Sequence, residues 1–198
     1  ALFAGHGTGY FQVLPFLELL ITGGAPLYLL AAFVEQTVNG QSIFVSVRSK
    51  GRRHLMKGIL SVSIKFLVVY TIFWLMAGLI GASLFSTGLT IVSFRFLLYA
   101  VLMKCLDILA QYLIMLGIYI ATRQVTIGFL VLVAGNLLCV LPGNWVAYSP
   151  FGLSSLTRIS VVEPGIGISA VSAFGIEAAI STLMIAGILM CGYKKILN

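Results

Sequence analysis

The chain has 198 residues, 60% hydrophobic and 9% charged, where a soluble domain carries about 25% charged residues. That balance excludes an ordinary soluble domain, a disordered chain, a coiled coil and a small disulfide-stapled protein, and leaves a polytopic membrane protein. Twelve Lys and Arg against five Asp and Glu give a net charge of +7; the cations fall mostly between apolar runs, so they speak to membrane orientation rather than to nucleic acid.

A helix crossing the hydrocarbon core needs about 20 apolar residues. Five stretches qualify: 11–34, 59–84, 91–120, 125–141 and 168–193. None alternates as a membrane β-strand does. The expected fold is all-α, a single transmembrane domain over residues 1–198 with five spans. The start at Ala1 lacks the basic, then apolar, pattern of a signal peptide. The run Ala4-Gly-His-Gly-Thr-Gly9 has no strand–turn–helix context for a phosphate cradle and reads as a flexible loop. The third stretch, 30 residues long, would measure about 45 Å as a helix, so it must tilt or project. Cys105, Cys139 and Cys191 sit inside apolar runs with no CxxC pair, which argues for buried structural thiols and against zinc.

The connection 35–58 holds Arg48, Lys50, Arg52, Arg53 and Lys57; Arg123 follows the third span; Lys194 and Lys195 close the chain. If five helices alternate, these eight cations share one side, against Arg95 and Arg158 on the other. That side is cytoplasmic by the positive-inside rule. The expectation is a multi-pass protein of the plasma membrane with a cytoplasmic C-terminus. Ala1 then lies outside, which a sixth helix upstream of it would explain. The external connection 142–167 is apolar at Trp145, Phe151, Leu153 and Leu156 but broken by Pro142, Pro150 and Pro164. It reads as short re-entrant helices at the outer interface, or as a plain loop.

Within 35–58, Ile43, Phe44 and Val47 share one helical face, and Arg48, Arg52 and Arg53 follow. The physical reading is an amphipathic helix at the inner interface, ending in a basic cluster. Anchoring to anionic lipid accounts for the charges but not for the apolar face. At these residues the chain resembles the membrane subunit of an ABC-2 type ABC exporter. The resemblance covers the layout of the whole chain. It implies six helices and a coupling helix at 41–49 that docks into a cytoplasmic ATPase through Ile43, Phe44, Val47, Arg48, Arg52 and Arg53. It also implies a gating or coupling role for Glu35 and a dimer with a second copy or a related permease. No GxxxxGK[ST] loop is present, so ATP and Mg²⁺ would belong to the partner, and this chain would bind no cofactor itself.

Charges inside spans are functional candidates. Counting 1.5 Å per residue from the basic inner ends puts Glu18, Asp107 and Glu177 at similar, outer depth on three helices. Lys104 stands three residues from Asp107 and is placed to pair with it. Interface solvation plus one ion pair is one account of these four residues. The other is an acid-lined outer vestibule on a translocation path. An enzyme is not expected: His6 and His54 fall on opposite sides of the membrane, and neither HExxH nor GxSxG occurs.

The function these observations favour is export of an amphipathic peptide or antibiotic-like substrate, powered by a separate ATPase. The alternatives are a small ion-gradient-driven secondary transporter or channel, or a membrane immunity or assembly protein. Paired carboxylates at the bilayer midplane would favour the transporter. For topology, thiol labelling from outside is expected to reach cysteines placed at Ser86 or Ser154 and to miss those at Ser49 or Thr122. External labelling at Ser49 would reverse the orientation.

Overall fold

The computed structural model describes residues 17, 20–40, 52–85, 94–138, 148–151, 153–154 and 168–192. They form five α-helices: α1 (Ala25–Gly40), α2 (Arg52–Phe85), α3 (Phe94–Thr122), α4 (Val125–Leu138) and α5 (Ala170–Gly187). A π-helical turn, Leu20–Gly24, leads into α1, and a second, Ile188–Gly192, extends α5. The described residues are all-helical in character, as the apolar runs predict. Among the described residues, three helices are long and apolar enough to cross a membrane: His54–Ile80, Leu98–Thr122 and Ala170–Met190. α4 has 14 residues, about 21 Å of helix against a core of about 30 Å. It covers 125–138 of the fourth span expected at 125–141, and 139–141 lie outside the described residues.

The helix boundaries also move around the basic connection. α1 continues past Glu35 to Gly40, and α2 already begins at Arg52. The expected 35–58 loop is therefore helical at both ends, and only 41–51 lies outside the described residues. The reason is that helices need not stop where apolarity stops. Gln36, Thr37 and Asn39 still fit a helix, and the Thr37 hydroxyl donates back to the Phe33 carbonyl at 2.7 Å. Arg52, His54, Met56 and Lys57 are adequate helix formers, and His54 and Lys57 are exposed where the headgroup zone can receive them.

α3 is the centre of the bundle and packs against α1, α2, α4 and α5. Each neighbour offers it one face. On α1 the buried face is Leu27, Leu30, Ala31, Val34 and Val38; on α2 it is Met56, Ile59, Leu60, Ser63, Leu67 and Thr71. These spacings of three and four are one stripe of a helix. The opposite faces are apolar and exposed, with Phe73 at 69% and Val171 at 82%. Contiguous apolar surface of this kind suits lipid and not water. Apolar burial from water is no driving force between helices in lipid, so close packing and internal hydrogen bonds must hold the bundle.

Hydrogen bonds across helices are present. Ser63 Oγ and Tyr112 Oη are 2.7 Å apart in the core between α2 and α3. Tyr70 Oη donates to the Thr22 carbonyl at 2.6 Å, which ties α2 to the first π-helical turn. Tyr99 Oη donates to the Ala170 carbonyl at 3.2 Å, and Ser169 caps α5 by accepting from the Ser172 amide at 3.1 Å. The turn between α3 and α4 is tight. Arg123 adopts φ 62°, and its amide donates to the Tyr119 carbonyl at 2.7 Å, the αL closure of a helix.

Close packing is seen at Gly128 of α4. A Cβ there would stand 3.0 Å from Met115 Cγ and 3.2 Å from the Met115 carbonyl oxygen on α3. The backbone oxygen cannot swing aside, so Gly128→Val is expected to destabilise the protein by about 2 kcal/mol through overpacking. Gly175→Ala, where nothing lies within 4 Å, is the control and is expected to leave the thermal midpoint unchanged. Equal midpoints for the two variants would contradict the close α3–α4 crossing.

Candidate functional site

Among the described residues, several polar side chains are buried in the interior of the bundle. α3 supplies Asp107 and Gln111, one turn apart and therefore on one face. α4 supplies Asn136, α5 supplies Glu177 and Ser181, and the 148–154 stretch supplies Ser154. Asp107 is 1% exposed and Glu177 is wholly buried.

A carboxylate in such a place needs donors from the protein, because hydrocarbon offers none. Asp107 has them. Gln111 Nε2 donates to Asp107 Oδ1 at 2.8 Å, and Ser154 Oγ donates to Asp107 Oδ2. Asn136 Nδ2 donates to Gln111 Oε1 at 3.2 Å and to the Leu132 carbonyl at 2.9 Å. The result is a relay of amides from α4 through α3 to one carboxylate, sealed on its other oxygen by Ser154. Phe151 wedges in beside it, with its ring where a Cβ on Gly135 would be.

Glu177 is different. It lies within Coulombic reach of Asp107, yet neither of its carboxylate oxygens has a hydrogen-bond partner. Ser181, one turn further along α5, is buried, and its hydroxyl has no partner; neither does Asn136 Oδ1. The buried face of α5 is Ala173, Glu177 and Ser181, small or polar at each fourth position.

The residues singled out from the sequence fall as follows. Asp107 and Glu177, matched in depth by counting, are brought together. They are not on an open outer wall: Asp107 stands near the middle of α3, Glu177 two turns into α5, and both are enclosed. Lys104 is not the partner of Asp107. Its ammonium lies 5.9 Å from the centroid of the Trp74 ring on α2, a cation–π distance, while Gln111 and Ser154 occupy the carboxylate.

Glu35 is exposed near the end of α1. Tyr119 feels the charges of both Glu35 and Arg123, so the end of α1 and the end of α3 lie on one side of the bundle. Arg52 and Arg53 open α2. Glu18, Ile43, Phe44, Val47 and Arg48 lie outside the described residues, as does most of 142–167. Among the described residues no group of three or more His, Cys, Asp or Glu is placed to hold a metal ion.

Sequence reasoning passed over Gln111, Asn136, Ser154 and Ser181. The signal for two of them was spacing: Gln111 is four residues after Asp107, and Ser181 four after Glu177. Asn136 stood out only as an amide inside an apolar run. Ser154 carried no signal, and its position corrects an expectation, since it is buried against Asp107 and not in an aqueous external loop. Against known proteins, no family model, no curated protein and no solved structure matches the chain.

A cysteine at Ser154 is therefore expected to resist a membrane-impermeant maleimide in the folded protein. Its rate should be about a hundredfold or more below that of a cysteine at exposed Tyr148, because reaction requires local opening. Comparable rates at the two positions would contradict the burial of Ser154.

Proposed function

We propose that the chain is the permease subunit of an ABC-2 type exporter in the plasma membrane. Its C-terminus is cytoplasmic, and two copies, or one copy and a related subunit, enclose the path. It moves an amphipathic peptide or antibiotic-like substrate outward. The ATP and Mg²⁺ that drive the cycle are held by a separate cytoplasmic ATPase.

The observation that carries this reading is the junction between α1 and α2. α1 runs past Glu35 to Gly40, and α2 opens at Arg52 with His54 and Lys57 exposed. Between them the sequence sets an apolar face, Ile43, Phe44 and Val47, ahead of a basic run. Short turns would suffice to join two packed helices. An apolar face followed by cations, at the end of a long helix, suits docking into a second, soluble protein. The cations also hold the junction against anionic lipid. The proximity of Glu35 and Arg123 to Tyr119 gives a push at this junction a route into α3, the central helix. Sparse charge and apolar helix faces suit an amphipathic cargo over a polysaccharide.

A second reading is an ion-gradient-driven transporter, favoured by one observation: the enclosed pair Asp107 and Glu177 lies deeper than an interfacial position. Energy source separates the two. In vesicles, transport by an ABC exporter stops on ATP depletion and survives an uncoupler; the ion-driven carrier behaves the opposite way.

The first reading is tested at Phe44. Phe44→Asp places a charge on the docking face and leaves the spans untouched. Recovery of a P-loop ATPase with the purified protein is expected to fall at least about tenfold, the loss of one interface anchor. Undiminished ATPase recovery in that variant would sink the docking assignment.

A further inference from the structure

The geometry points to a cation site in the core of the bundle: we propose that Glu177 and Ser181 of α5, facing Asp107 of α3, hold one desolvated alkali-metal cation. The proposal rests on burial and hydrogen bonding alone and stands whether or not the chain works with an ATPase.

Asp107 has two donors, one for each oxygen. Glu177 has none, although it is wholly buried. Ser181 is 4% exposed, and its oxygen is likewise unpartnered. Four residues separate it from Glu177, so both side chains project from one face of α5. That face packs against α3. Every orphan atom here is an oxygen. A bundle interior that leaves a carboxyl group and a hydroxyl idle on the same face forfeits several kcal/mol unless a proton, a water or a cation satisfies them.

No protein cation fills that role among the described residues. Lys104, the basic residue nearest in sequence, is engaged with Trp74. Asp107 lies within Coulombic reach of Glu177, so a cation held by Glu177 also gains from the Asp107 charge.

The donor set selects the kind of cation. Oxygen ligands with no imidazole or thiolate suit hard ions and not transition metals. Mg²⁺ dehydrates reluctantly and Ca²⁺ takes about six to eight oxygen ligands. The Asp107 oxygens are engaged by hydrogen bonds, so Glu177 is the carboxylate left to ligate, and so sparse a donor set suits a monovalent ion better than a divalent one.

The test uses the full chain, purified in detergent. Thermal midpoints are compared in NaCl, KCl and N-methyl-D-glucamine chloride at one pH and one ionic strength. With Na⁺ or K⁺ at about a hundredfold its dissociation constant, the midpoint is expected to rise by about 5 °C over the organic cation. Glu177→Gln should abolish that shift. Ser181→Ala should keep it but move its half-maximum to about tenfold higher salt. Identical midpoints in all three salts would overturn the proposal. So would a shift of full size in Glu177→Gln, or a midpoint that follows pH and ignores the alkali ions, which would make the occupant a proton. If Glu177→Gln does not fold, Ser181→Ala decides: an unchanged half-maximum refutes the site.

Discussion

A carboxylate halfway along an apolar helix sets the terms for everything around it. Asp107 cannot reach water from the middle of α3, so its partners must come from the protein. Gln111 answers from the next turn of the same helix, and Asn136 from α4 orients Gln111. Ser154 answers from the far side and brings its segment inward with it. These bonds fix the register of α3 against α4 and the depth of the 148–154 stretch. Apolar packing alone would leave both free to slide, since one leucine face serves in lipid about as well as another.

The distribution of polarity follows from the same constraint. Phe73, Leu130 and Val171 face outward, where acyl chains solvate them. Ser63, Thr71, Asp107, Gln111, Glu177 and Ser181 face inward, where Asp107 pairs with Gln111 and Ser63 with Tyr112. Thr71 returns its hydroxyl to the Leu67 carbonyl at 2.8 Å, a local solution that asks nothing of its neighbours. Small residues complete the design. Gly128 lets α4 lie on the backbone of α3, and Ala173 with Ser181 leaves α5 a slim face toward α3. Close approach and internal hydrogen bonds together replace the hydrophobic effect that a soluble bundle would use.

Much of this was legible in the sequence. Of the five apolar runs expected to span, three became helices long and apolar enough to cross a membrane among the described residues. Arg123 marked the α3–α4 turn. The count of helical rise set Asp107 level with Glu177, and the two lie within Coulombic reach of one another. Pairing was harder. Lys104 is at a suitable spacing from Asp107, but spacing ignores which way each side chain is drawn, and Trp74 competes for the ammonium while two neutral donors take the carboxylate. Helix ends were misjudged at Glu35 and Lys57 because apolarity was used as the limit of the helix, whereas capping and propensity set it. The burial of Ser154 was invisible, since a short polar side chain beside Pro150 and Phe151 looks like any interfacial loop until its partner is known.

The core network and the proposed export function are linked through α3, which carries Asp107 at its centre and Tyr119, near Glu35 and Arg123, at its end. Any movement imposed at the α1–α2 junction is resisted by the hydrogen bonds that pin α3 to the 148–154 stretch. The measurement that bears most directly on this account is a double-mutant cycle on unfolding stability with Asp107→Asn and Ser154→Ala. If Ser154 secures its segment through a charged hydrogen bond in the core, the two substitutions couple by about 1.5–3 kcal/mol. Additive effects, with coupling near zero, would mean that Asp107 does not hold Ser154 and that the buried carboxylate is not what organises the bundle.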